Sequence, residues 1–438
     1  MRKVFLKMIS AFAIISLLLL AGCSGGGGEK AGTDSKNGKD EITKITYWQY
    51  TFPAKVEEIA ELIKKFEAEN PDIKVEAQDF PYDQYNDKIT AAMHANKAPD
   101  IINIYYGWIP NFVKLGYIQP IPEDFMSTQE IEDYYVPMIQ SSKIDDKYYT
   151  LPIAVRSLAL FWNKELFEEA GLDPEQPPKT WDEFMDYAIK TTKRDSDDRY
   201  EQAGFAWNIS AQGQHVIPQV LLRQWGVDPY SEDQRTVQWN SKPEGAEAFK
   251  FWMDMTTEHK IGAADFMDTP VTSFSSGRTA MNIDGSFNIS AYKENNDFEW
   301  GVTTLPVREI GGLESNFGSY WTNAITKDVS GKQLEASQRF LEFLISEETQ
   351  KSWLENVGEL PAAAALADDK EITDDPIYGP FVKGLEKAHA TPFVNEEKER
   401  EAVINAVDRI ILEKEDVEKS LNTLVEQLQE IRDEFYNK

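Results

Sequence analysis

Between Ile42 and Ile104 the hydrophobic pattern switches repeatedly between strand and helix periods, and this alternation limits the fold more than any other feature of the chain. Ile42 to Tyr47 alternates apolar and polar residues, as a strand with one covered face requires. Val56, Ile59, Ala60, Ile63 and Phe66 then fall at helical spacing, so Pro53 to Glu69 is an amphipathic helix that stops before Asn70-Pro71. Ile73 to Ala77 is a second strand, and Tyr85, Ile89, Ala92 and Met93 mark a second helix. Ile101 to Ile104 is an unbroken apolar run, typical of a parallel strand covered on both faces. Strand, helix, strand, helix, strand is an α/β unit. The pattern resumes downstream, with strands at Ser157 to Trp162, Ala203 to Trp207, Ala280 to Ile283 and Gly301 to Thr304. Helices are expected at Lys164 to Ala170, from Thr180 with Glu183 as its capping-box partner, at Glu244 to His259, at Leu334 to Ile345 and from Val417 to Phe435. No repeat of ~20–50 residues is present, which argues against a solenoid. The 438 residues suffice for two lobes at ~100–200 residues each.

The N-terminus sets the compartment. Arg2, Lys3 and Lys7 precede the apolar run Met8 to Leu20, the layout of a secretory signal. Leu19-Leu20-Ala21-Gly22-Cys23 resembles the lipobox of bacterial lipoproteins. Residues 1–22 are thus expected to be a signal peptide, with Cys23, the single cysteine of the chain, carrying a lipid. Residues 23–41, rich in glycine and polar residues, read as a flexible tether. The expected location is the cell membrane, lipid-anchored and facing the extracellular side. The net charge of −30 disfavours nucleic acid and direct adhesion to an anionic bilayer, because like charges repel.

Catalytic and metal motifs are missing. The four histidines, His94, His215, His259 and His389, are far apart, and no HExxH or cysteine pair occurs. The acidic stretch at 194–200 lacks the glycine and closing glutamate of a calcium loop, and neither a phosphate-binding glycine loop nor a nucleophile elbow follows a strand. No cofactor, metal or catalytic residue is expected. A surface-anchored glycosidase needs only a carboxylate pair and stands as the competing enzymatic reading, but no motif singles out such a pair.

What remains distinctive is aromatic. The chain holds 11 Trp, 18 Tyr and 23 Phe, and many lie where strands hand over to loops. Trp48-Gln49-Tyr50 follows the first strand, Phe80-Pro81-Tyr82-Asp83 the second, and Tyr105-Tyr106-Gly107-Trp108 the third. Trp207-Asn208, Phe287-Asn288 and Tyr320-Trp321 repeat the arrangement. In open α/β sheets ligands bind beyond the carboxyl ends of strands. Aromatic faces there stack on the C–H faces of a sugar, while neighbouring polar groups hydrogen-bond its hydroxyls.

The stretches "ELIKKFEAENPDIKVE" (61–76), "APDIINIYYGW" (98–108), "YYTLPIAVRSLALFWNKELFEEAGL" (148–172), "FSSGRTAMNIDGSFNIS" (274–290) and "FLEFLISEETQKSWLENVGELPA" (340–362) resemble, in order, the family 1 extracellular solute-binding proteins of ABC importers, the maltose/maltodextrin-binding type. The resemblance covers about residues 42–438. It implies a two-lobed α/β fold, each lobe a mixed sheet flanked by helices, with ligand in the cleft between lobes. The implied lobes are 42–154 plus 304–343 and 159–300 plus 347–438. It also implies an oligosaccharide ligand, delivery to an ABC permease and a monomer. Carried over by position, the site comprises Trp48, Gln49 and Tyr50, then Tyr82 and Asp83, then Tyr105, Tyr106 and Trp108, with Trp108 as the leading stacking platform. Trp207 and Gln214 match the second lobe's first contact region, and Asp284 and Phe287 follow, with Phe287 in place of a frequent tryptophan. Tyr320 and Trp321 lie before the last strand of the first lobe, and Asn395 and Glu396 form a rim more polar than the family's. Arg156 stands where maltodextrin binders carry a glutamate. That change puts maltose in question and raises an acidic sugar or another non-sugar ligand as alternatives.

Overall fold

Trp48 to Tyr50, read above as a loop, belong to the first strand itself: β1 (Thr43–Tyr50) pairs in parallel with β2 (Ile73–Phe80) along its full length, up to Tyr50 opposite Phe80. The computed structural model describes residues 42–206, 208, 213–264, 266–294 and 297–437. The signal segment, Cys23, the tether and Trp207 lie outside the described residues. Helix α1 (Pro53–Glu69) begins at a proline that presets its first turn, and α2 (Tyr82–His94) follows β2. Next come β3 (Ile101–Tyr105), the 3₁₀ turn Tyr106–Trp108 and α3 (Ile109–Lys114). All five residues of β3 are buried, as its unbroken apolar run requires.

The remaining strands are β4 (Leu151–Pro152), β5 (Ala154–Val155), β6 (Leu158–Asn163), β7 (Lys193–Arg194), β8 (Tyr200–Ala206), β9 (Thr279–Gly285) and β10 (Trp300–Thr303). They are followed by β11 (Asn316–Gly318), β12 (Trp321–Ile325), β13 (Leu360–Pro361) and β14 (Ala388–Ala390). One mixed sheet has the order β2-β1-β3-β12-β4 and the other β10-β6-β9-β8-β7. Thr180 and Glu183 form the expected capping box of helix Trp181–Thr191. No helix among the described residues is long and apolar enough to cross a membrane.

Between the sheets the chain crosses at 153–157 and again at 304–320. These crossings are tied together: Arg156 N donates to Ser319 O at 2.8 Å, and Ser319 N returns a bond to Arg156 O at 3.1 Å. A third crossing follows helix Glu347–Val357. Its strand β13 pairs antiparallel with β5, Leu360 opposite Val155, and the chain then reaches Phe381, whose ring meets Phe161 of β6 at 5.8 Å. Helix Glu347–Val357, placed in the second lobe by the resemblance, packs with the first sheet instead. Its Trp353 and Val357 join Ile59, Phe66 and Phe340 in one core, and Ser352 donates to Glu58 of α1 at 2.6 Å. A separate core around Trp181, Phe205, Trp252 and Leu424 supports the second sheet.

Candidate ligand-binding cleft

The two sheets aim the carboxyl ends of β1 and β9 at one cleft of about 510 Å³, within the ~300–1,000 Å³ typical of small-molecule sites. One wall is aromatic. Tyr50, the last residue of β1, stacks on Trp321, the first of β12, with ring centres 3.9 Å apart and planes 28° apart. Tyr82, at the start of α2, stands edge-on to both, 6.0 Å from Tyr50 and 6.1 Å from Trp321. Offset and edge contacts of this kind hold rings in fixed planes.

Arg156 forms the floor. Its Nε and Nη2 both bond to Oε1 of Glu359, and Nη2 also donates to the Tyr50 hydroxyl at 3.2 Å. Lys55 Nζ reaches the same Glu359 oxygen at 3.0 Å, and Trp353 Nε1 donates to the other at 2.8 Å. Arg156, Lys55 and Glu359 are all buried. Burial opposes each charge, but the pairing prevails for two of them: Arg156 stays charged, and Glu359 is held down at about 2 by Arg156 and Lys55. Burial dominates at Lys55, whose amine drops to about 7 despite Glu359, and it pushes the Tyr50 hydroxyl up to about 12.

The facing wall comes from the second sheet. Phe287, in the 3₁₀ turn after β9, lies over the Arg156 guanidinium at 4.2 Å. A Cβ at Gly285 would sit 2.1 Å from the Phe287 ring, so only glycine lets that ring fold back. Asp284 accepts from Gly285 N at 2.8 Å, from Asn288 Nδ2 at 2.9 and 3.0 Å, and from the Tyr292 hydroxyl. Burial pushes its carboxyl up against those bonds. Asp284 therefore lines the cleft while bracing the turn that carries Phe287. At the rim, Glu396 and Arg400 pair at 3.4 Å, one helical turn apart.

Of the residues expected from sequence, Tyr50, Tyr82, Asp83, Arg156, Asp284, Phe287, Trp321 and Glu396 line the cleft. Others do not. Trp48 packs edge-on to Phe80 at 4.8 Å, and Gln49 is buried. Tyr105, Tyr106 and Trp108 form a buried cluster with Trp321, Tyr320 and Phe393. Tyr106 stacks on Tyr320 at 4.9 Å, and its hydroxyl accepts from Thr391 N at 3.1 Å. Trp108, expected to stack on ligand, packs among Tyr85, Phe112 and Trp321 and does not line the cleft. Burial pushes the nearby Glu396 carboxyl up, opposed first by Arg400 and then by the Trp108 indole. Gly107 does not adopt a positive φ. A Cβ there would lie 2.9 Å from Phe393 and 3.2 Å from Glu396 Cβ, so the glycine admits the 393–396 segment. Asn395 caps helix Glu396–Ile411 by accepting from Lys398 N. Gln214 lies on helix Gly213–Gln224, with its side chain outside the described residues.

Sequence reasoning missed Phe52, Phe205, Asn282, Phe317, Ser319 and Arg400 in the lining, with Thr269 to Val271. Two signals were available. Phe317, Ser319 and Trp321 alternate along extended chain, so period 2 places them on the cleft side and Tyr320 on the other. Arg400 follows Glu396 by four residues on one helix face.

A model of bacterial extracellular solute-binding proteins matches residues 61–380. The chain belongs to this family. As a bacterial extracellular solute-binding protein it is built to bind, and it works outside the cytoplasm. It is 25% identical over 358 residues to a maltotriose-binding protein of Pyrococcus abyssi (strain GE5 / Orsay), covering 80% of this chain and 73% of that one. It is 26% identical over 343 residues to the sn-glycerol-3-phosphate-binding periplasmic protein of Escherichia coli (strain K12), covering 75% and 76%. Its fold is shared with the cyclic alpha-maltosyl-1,6-maltose binding protein from Arthrobacter globiformis, with a TM-score of 0.76, 21% identity and coverage of 90% and 100%. This solute-binding protein has the two-lobed architecture. Among its described residues no group of three or more His, Cys, Asp or Glu is placed to hold a metal ion.

Proposed function

We propose that this chain is the substrate-binding component of an ABC importer, holding a sugar, most simply an oligosaccharide, in the cleft between its lobes. The observation that carries this reading is the Tyr50–Trp321 stack with Tyr82 at its edge, facing Asn282, Asn288 and the Arg156 floor across about 510 Å³. Flat apolar faces beside planar polar groups match the two kinds of surface a pyranose offers. The first lobe on this reading includes helix Glu347–Val357. Closure of the lobes about the three crossings buries the ligand, and the closed form is presented to the permease. Cys23 anchors the monomer to the outer face of the cell membrane through its lipid, and no bond of the ligand is broken.

A thermal-shift screen of mono- and oligosaccharides tests this, because a ligand that binds only the folded state raises its melting temperature. Calorimetry on Trp321→Ala then locates the site. A screen in which no sugar shifts the transition, or a Trp321→Ala variant that binds the hit unchanged, overturns the reading.

A further inference from the structure

Relatives named for a neutral trisaccharide and for a phosphate ester stand at nearly the same identity to this chain. Overall likeness therefore does not choose between neutral and anionic ligands, but the cleft floor does. An arginine grips phosphate or carboxylate best through its fork of parallel N–H bonds. The Nε and Nη2 groups of Arg156 are already spent on Glu359, inside the protein. Phe287 covers one guanidinium face at 4.2 Å, and Nη2 also donates to the Tyr50 hydroxyl at 3.2 Å, so the group is held from three sides. Only Nη1 has no partner among the described residues, and it offers single hydrogen bonds of the kind a hydroxyl oxygen accepts.

We propose that Glu359 is a specificity-determining residue: by occupying the Arg156 fork and cancelling its charge, it restricts the cleft to neutral polyhydroxyl ligands and excludes phosphate- and carboxylate-bearing ones. Glu359 does not touch the ligand on this view; it acts through Arg156. Lys55, bonded to the same carboxylate oxygen, and Trp353, bonded to the other, keep Glu359 ionised and in place. The rest of the lining points the same way, since Asp83, Asp284 and Glu396 are set against Arg400 alone. The proposal rests on the reading of this cleft as the ligand site.

The test compares wild type, Glu359→Gln and the double variant Glu359→Gln with Arg156→Met, using inorganic phosphate and sn-glycerol 3-phosphate as probes in thermal shift and calorimetry. Glu359→Gln keeps an acceptor oxygen but removes the charge set against Arg156, and this is expected to tighten phosphate binding by at least about tenfold over wild type, with the added Arg156→Met expected to abolish the gain. A loss of folding integrity does not create anion affinity, so a merely structural role for Glu359 predicts no gain. Phosphate binding in wild type equal to that of Glu359→Gln, or a gain that survives Arg156→Met, overturns the proposal. Should Glu359→Gln fail to fold, wild type decides: a phosphate-induced shift that Arg156→Met removes overturns the proposal, and its absence beside a sugar-induced shift supports it. Failure of every sugar to bind counts against the sugar reading alone, because the anion arm is read independently of it.

Discussion

Two aromatic clusters sit at strand ends of the same sheet and do different things. Tyr50 and Trp321, at the ends of β1 and β12, face the cleft, whereas Tyr105, Tyr106 and Trp108, after β3, are buried. In composition they are nearly alike. What separates them is where the remaining edge points: Phe393 and Glu396 pack against Gly107, while Tyr50 and Trp321, though only 6% and 5% exposed, line the cleft. Their supports differ too. The cleft pair leans on the Arg156–Glu359–Lys55 ionic group, with Lys55 Nζ 5.2 Å from the Tyr50 ring centre and 5.7 Å from that of Trp321. The buried cluster leans on other rings. A strand-end aromatic therefore lines the cleft only where the tertiary packing turns an edge of it that way.

The largest effect expected to separate the clusters is on stability. Trp108→Ala should destabilise the protein by about 3–5 kcal/mol through the cavity it leaves, with little change in ligand affinity per folded molecule. Urea unfolding beside calorimetry checks this, and an affinity loss without a stability loss would return Trp108 to the site. Acid should discriminate next. Glu359 titrates at about 2 in the folded protein against an ordinary 4.5. The stability this supplies is present above pH ~4.5 and lost as pH falls toward ~2, worth roughly 3 kcal/mol. Lys55 gives a slope of the same sign at higher pH: its folded value of about 7 lies below 10.5, so stability should rise again as pH climbs through that interval. Denaturant midpoints across pH for wild type and Glu359→Gln should show the acid-side slope only in wild type.

Smaller effects refine the contrast. Trp321→Ala should weaken sugar binding by about 1–3 kcal/mol, the size of a central aromatic contact, read by titration of the screened ligand. Gly107→Ala should cost about 1–3 kcal/mol of stability by overpacking, since its new Cβ meets the Phe393 ring at 2.9 Å; an unchanged melting temperature would show that the 393–396 cover gives way. Tyr82→Ala should cost about 0.5–1.5 kcal/mol of affinity, the value of an edge-on aromatic contact, because Tyr82 is 40% exposed at the rim.

By itself the sequence determined the α/β alternation: periodicity is local, and a residue's face on a helix or strand follows from its neighbours in the chain. α1 runs Pro53–Glu69 as the periodicity requires, and β3 is buried throughout as its apolar run requires. The chemistry of the cleft was half legible, because Tyr50, Tyr82, Arg156 and Trp321 are visible as residue types near strand ends. Only the tertiary structure decided which strand-end aromatics line the cleft. The Gly107–Trp108 turn packs on a segment nearly three hundred residues away, and Arg156 is paired with Glu359 on another crossing. Contacts of that range arise when three separate crossings are brought side by side, and no local pattern of residues encodes which carboxylate will meet which guanidinium.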